Sequence, residues 1–379
     1  MSNDAVTRIV ARADEISRLG AQGEELRRLP GELVTLMRNE GLFSILTPRA
    51  YGGLEYDLAT AVDVIEAVAK ADAAAGWCLL KVATTNQLSA YIDPEVAAAI
   101  WTGPHIASAG SLNPRGRAVR ADGGWHVSGR WDWGTATGFS DWIVGGAMLF
   151  EQGADVPLTG PMGPQTRLFL LPSSVVQFID TWHVHGMRGT GSQDFAVDNV
   201  FVPDRHAIDM TTLAPRQVGP LYDALPYMAM MMVPHAPVAT GIALACIEAF
   251  SALSVSKTPL MSKGVLADKA MAQDALGRAV AEVEASRAYL KSAIARIGDA
   301  PGPSVATALH LAATHATHSC VSAVDRLYAA AGGTAVFEAS PIQRHFRDIH
   351  VAASHFLVNA EKYAAAGRVT LGLSPSMLR

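Results

Sequence analysis

The chain has 379 residues, half of them hydrophobic and 17% charged. That composition provides for a large core and fits an oligomer that hides surface. A net charge of −5 with no basic block argues against nucleic-acid binding. Three scattered cysteines (Cys78, Cys246, Cys320) argue against a disulfide frame or a zinc site and suit buried thiols in a reducing cytoplasm.

The polar, amphipathic start "MSNDAVTRIVARADEISRLG" does not read as a signal peptide. Pro30 predicts the first turn of a helix through "GELVTLMRNEG", with a stop at Gly41. "TPRAYGG" is turn chemistry. Asp57 caps the next helical pattern, an apolar helix runs from Trp77 to Tyr91, and Asp93-Pro94-Glu95 is a strong helix start. From about Gly103 the pattern alternates: "GRAVRADGGWHVSGRWDWG" reads as a hairpin about Asp-Gly-Gly. "SDWIVGGAML", "RLFLLP" and "DFAVDNVFVP" read as strands, and His183 and His185, between the last two, are expected to alternate on one strand face as exposed residues, with no third ligand for a metal. From Leu225 the chain reads as a loop into a buried helix rather than a membrane span, since Pro226, Pro234, His235, Pro237 and Glu248 interrupt the apolar run. Helical segments are predicted at about 235–256, 265–298, 304–331 and 341–365, an antiparallel four-helix bundle, with "GDAPGP" as one of the breaks. The expected organisation is a mainly α chain with a central β domain: helical 1–103, β 104–212, bundle 213–379.

On the last segment, Arg344 and Asp348 stand four apart and are expected to pair. A helix running on to residue 365 sets His355 roughly 10 Å from Asp348, too far to touch it. Asp348 is therefore an anchor of the helix, and His355 reads by residue type as either a satisfied core histidine or a general base. His345 and His350 have no assigned chemistry, and His310, His315 and His318 are expected at a surface or interface. The methionines of "YMAMMM" offer adaptable apolar surface for a substrate pocket or for the core. No Gly-x-Gly-x-x-Gly follows a strand, and "GMRGTGS" lacks the Gly-Lys-Ser/Thr ending of a phosphate loop.

The order helices, β domain, bundle, together with "LTPRAYGG", "GMRGTGSQDFAVDNVFVP" and "SPIQRHFRDIHVAASH", resembles the acyl-CoA dehydrogenase fold over nearly the whole chain. In many dehydrogenases of that fold a glutamate base follows the Arg-Asp pair; the corresponding residue here is Phe356, and "ASAGSLNPRG" replaces the family's flavin-contacting string. "GSLNPRGRAVRADGGWHVSGRW", and Arg347-Asp348 followed by His355, resemble instead the oxygenase components of two-component flavin monooxygenases, the family of p-hydroxyphenylacetate and steroid-ring phenol hydroxylases.

That resemblance implies reduced FMN or FAD supplied by a separate reductase, O2, a C4a-hydroperoxyflavin, a small aromatic or heteroatom substrate, and a homotetramer. It implies flavin contacts from Trp77, from Gly110, Ser111 and Leu112, from Thr135, Thr137 and Gly138, and from His355 and Phe356. Lys257 would reach the flavin phosphate across a subunit boundary, and Gly333-Thr334 would approach from a neighbouring subunit. The candidate catalytic residues are His355, Thr137 (a hydroxyl for flavin N5), Ser111 and Asn86, the last standing where some relatives carry a second histidine. A dehydrogenase with a relocated base and a catalytically silent scaffold are the alternative readings. No metal site is expected.

Overall fold

Capping and apolar spacing agree along the first hundred residues, and helices form there. The computed structural model describes residues 2–298 and 303–373, apart from 162, 211, 218, 224 and 226. α1 (Ser2–Ala11) and α2 (Ala13–Leu26) precede α3 (Gly31–Asn39), which follows Pro30 as predicted. α4 (Leu58–Ala71) starts at Asp57, whose carboxylate accepts the Thr60 N–H at 2.8 Å. Asp72 starts α5 (Ala73–Asn86) in the same way, and Asp93 starts α6 (Pro94–Ile100).

The alternating segment forms a mixed sheet. β1 (Ser108–Ala121) and β2 (Gly124–Trp131) pair antiparallel as the predicted hairpin. β3 (Trp142–Phe150) runs parallel to β1 on its other side. β4 (Thr159–Gly160) and β5 (Gly163–Pro164) make a separate small ladder. β6 (Thr166–Pro172), β7 (Gln177–Ile179), β8 (Asp194–Pro203) and β9 (Ala207–Asp209) complete the large sheet in the order β7-β8-β2-β1-β3-β6-β9. Trp131 stacks on Phe195 with ring centroids 5.1 Å apart in a core belonging to the sheet alone. His183 and His185 lie between β7 and β8 rather than on a strand: the chain leaves the ladder at Ile179, and Arg27 pairs with Asp180 beside His183.

Helices return with α7 (Pro220–Asp223), α8 (Tyr227–Met232), α9 (His235–Ser256), α10 (Ala270–Ala295) and α11 (Pro303–Ala331). Residues 299–302, inside the predicted "GDAPGP" break, lie outside the described residues. The fourth predicted segment is not one helix. α12 (Pro341–Ala353) ends before His355, a short turn spans Phe356–Val358, and α13 (Glu361–Thr370) follows. His355 has extended backbone, φ −68° and ψ 132°, and its ring accepts the Leu357 N–H, which replaces the helical pairing. Its spacing from Asp348 is therefore not set by helical geometry.

The N-terminal and C-terminal helices share one core, with α4 and α5 packed on α9, and α9 on α11, through residues such as Val68, Leu79, Ile242 and Leu327. A buried polar tie crosses it: Arg287 on α10 donates to Glu66 on α4, which also accepts from Thr240 on α9. One stretch among the described residues, Tyr227–Ser256, is long and apolar enough to cross a membrane, and half of its most apolar window is buried within the protein.

Candidate active site

α5 places Trp77 and Lys81 one turn apart on one face. α9 opens with His235, and His355 follows α12. Packing brings these residues together. Lys81 Nζ lies 2.9 Å from His235 Nε2 and 3.0 Å from His355 Nε2, and 4.8 Å above the Trp77 ring. The two imidazoles are 4.6 Å apart by centroid, and each meets Trp77 edge-on. His235 is buried; Lys81 and His355 are half-buried. Phe356, 60% exposed, flanks the His355 ring at 4.9 Å, so the cluster reaches the surface on that side.

Among the described residues no carboxylate pairs with Lys81. Burial lowers its pKa to about 7. Burial, and then the neighbouring Lys81, hold both histidines well below the usual imidazole range, so both are neutral at physiological pH.

Acidic groups on the adjoining elements fix this arrangement. Asp72 caps α5 and accepts from Arg344 at 2.6 Å, tying α12 to the start of the helix that bears Trp77 and Lys81. Arg344 also stands 3.5 Å from Asp348, the expected pair. Asp348 accepts the Met187 N–H at 2.5 Å, so the "GMRGTGS" segment serves as a docking loop for α12. Burial raises the Asp348 pKa to about 6 despite Arg344. His318 donates from α11 to Val358 O and holds the turn after His355.

The other predicted residues fall in three places. Ser111, Gly110 and Leu112 lie half-buried on β1. Gly110 has φ +149°, and a β-carbon there would meet Val144 O at 2.0 Å, so only glycine fits. Thr135 lies beside Trp77: it receives the indole N–H at 3.4 Å and joins Ser192 at 2.7 Å. Thr137, expected to offer its hydroxyl outward, is buried and donates it to Gly134 O at 2.7 Å, while Gly138 is exposed next to it. Lys257 and the Gly333-Thr334 turn come together at the end of α11, where the lysine donates to Ala331 O at 2.5 Å beside Gly332. Met230 and Met232 of the methionine-rich segment are buried in α8.

Asn86 needs correction as a substrate-orienting residue. It is fully buried: its amide nitrogen donates to Phe43 O and Ile106 O, and its oxygen accepts from Trp101 Nε1, Ser108 N and the Ser108 hydroxyl. Every donor and acceptor of the side chain is used in joining the end of α5 to the turn at Phe43, the end of α6 and the start of β1.

Residues 3–98 match the family model described as acyl-CoA dehydrogenase, N-terminal domain, and residues 233–360 match that described as acyl-CoA dehydrogenase, C-terminal domain. The chain belongs to the acyl-CoA dehydrogenase superfamily. Within this superfamily it is 28% identical to the flavin-dependent monooxygenase, oxygenase subunit HsaA, of Mycobacterium tuberculosis, over 92% of this chain and 90% of that protein. It is 27% identical to a pigment production hydroxylase of a Rhodococcus species, over 91% and 90%. XiaF from a Streptomyces species, solved with FADH2 and glycerol, superposes with a TM-score of 0.91 at 25% identity, over 99% of this chain and 97% of that one. The cluster at Trp77 holds two imidazoles and one amine. Of these three groups the sequence singled out His355 alone; Lys81 and His235 join it only through packing. A lone lysine within the apolar run "GWCLLKVATT" was the available signal for Lys81.

Proposed function

We propose that the protein is the oxygenase component of a two-component flavin-dependent monooxygenase acting on a small aromatic or heteroatom compound, with His355 as the base that faces the substrate. One observation carries the reading. At the position where many of the superfamily's dehydrogenases have a glutamate stands Phe356, and the groups gathered at Trp77 are two neutral imidazoles and an amine. Such groups suit deprotonation of a phenol or a heteroatom hydrogen better than of a carbon next to a thioester.

The residues present fit a flavin. Gly110 to Leu112 offer half-buried β1 backbone near the flavin ring, and Lys257, at the opposite end of α9 from His235 and beside the Gly332–Thr334 turn, would supply a cation for phosphate from a neighbouring subunit. When bound, reduced flavin would supply the two electrons with which O2 is activated, one of its oxygen atoms going to the substrate and the other to water. The protein's part is to shield that chemistry, orient the ring of the substrate and accept its proton at His355. Exposed Val255, Leu260, Met261, Val336 and Phe337 among the C-terminal helices support a homo-oligomer, read as a tetramer. The three free, buried cysteines support a reducing, cytoplasmic setting.

Anaerobic titration with FMN and FAD tests the reading. Reduced flavin is expected to bind at least about tenfold more tightly than oxidised flavin, ~1.4 kcal/mol. Tight retention of oxidised FAD that an acyl-CoA bleaches would instead establish a dehydrogenase, and no affinity for flavin in either state would leave a scaffold.

A further inference from the structure

The hydrogen-bond directions around Lys81 determine its protonation state. His235 Nδ1 lies 3.1 Å from Met232 O, a pure acceptor, so Nδ1 carries the proton and Nε2 presents a lone pair. Lys81 must therefore donate to His235. At His355 the order is reversed. The Leu357 N–H donates to Nδ1 at 3.3 Å, so in the neutral ring Nε2 carries the proton. That N–H points to Lys81 Nζ at 3.0 Å, which must then offer a lone pair. An ammonium has none. An uncharged amine satisfies both contacts, donating to one ring and accepting from the other.

We propose that Lys81 is the terminal proton acceptor of a relay that begins at His355, so that His355 takes the substrate's acidic O–H or N–H proton at Nδ1 while handing its Nε2 proton to Lys81. The step balances. The substrate keeps the electron pair of the broken bond, the His355 ring remains neutral as the opposite tautomer, and Lys81 becomes an ammonium. The ammonium then donates to both Nε2 atoms, so the same three positions are satisfied before and after transfer. The only bond given up is the long one from Leu357 N–H. Lys81 acts through His355 and does not itself meet the substrate. The groups facing it are His235 from α9, His355 from the turn after α12 and Trp77 from its own helix, with no carboxylate paired to it among the described residues. Burial without a counter-charge places its titration near neutrality, where an acceptor is most useful.

The relay rests on the oxygenase reading for its purpose, but its test needs no flavin. The chain has seven lysines, few enough to follow individually by NMR after isotope labelling. On the flavin-free protein, the Lys81 resonance, assigned by its loss in Lys81→Met, is expected to titrate near pH 7. Nitrogen shifts of His355 should change over the same range, from the Nε2–H tautomer above it to the Nδ1–H tautomer below. Lys81→Arg, charged throughout, should hold His355 in the Nδ1–H tautomer at every pH, and Lys81→Met should abolish the pH switch. A Lys81 that titrates near the ordinary value of about 10, or a His355 tautomer switch that survives in Lys81→Met, would overturn the relay. Either result would leave the flavin-binding test untouched, so the two failures are distinguishable.

Discussion

His355→Ala is expected to lower product formation by about 10²–10⁴-fold, the usual contribution of a positioned acid–base group. The protein should stay folded and should still consume reduced flavin and oxygen, so the two activities come apart. The ring is half-buried at the mouth of the cluster, and its removal leaves the Leu357 N–H without a partner and the Lys81 amine with His235 alone. That costs about 1–3 kcal/mol of stability, which a chain of this size with a continuous helical core tolerates. His355→Gln, which retains polar contacts but cannot carry a proton between two ring nitrogens, should be as impaired as the alanine variant. Product per reduced flavin consumed, measured with simple phenols and with indole as probes, is the readout. Unchanged product yield in either variant would remove His355 from the chemistry.

Asn86→Ala carries the largest expected cost in stability. The substitution strips partners from two backbone carbonyls, one backbone N–H, the Trp101 indole and the Ser108 hydroxyl, all but the Ile106 carbonyl on buried residues. A loss of about 3–5 kcal/mol follows from several unsatisfied buried groups acting together. It should show as a lower denaturation midpoint, with flavin binding and product yield preserved in whatever fraction folds. An undiminished midpoint combined with lost product would restore Asn86 to the substrate site.

These two residues show how far the sequence could be read. Asp57, Asp72 and Asp93 each initiate a helix by side-chain capping, and the Asp-Gly turn after β1 closes a hairpin. Local chemistry decides such features, and they are legible residue by residue. The break before His355 is less so. The segment from Pro341 has no glycine or proline before Gly367, and the helix yields because a histidine ring satisfies its own turn. Lys81, His235 and His355 are separated by more than a hundred residues in each step, and only the packing of α5 against α9 and α12 makes them neighbours. Asn86 misled for the opposite reason. It falls where a functional residue was expected, and nothing local shows that five groups from distant segments have used all its hydrogen-bonding capacity.

The reading as an oxygenase meets its most direct test when the protein, held anaerobically with reduced FMN or FAD, is mixed with oxygenated buffer and followed by stopped-flow absorbance. The expected result is a transient species with its own absorbance, formed before oxidised flavin appears and longer-lived than anything seen with free reduced flavin. Reoxidation at the free-flavin rate with no such transient would contradict it.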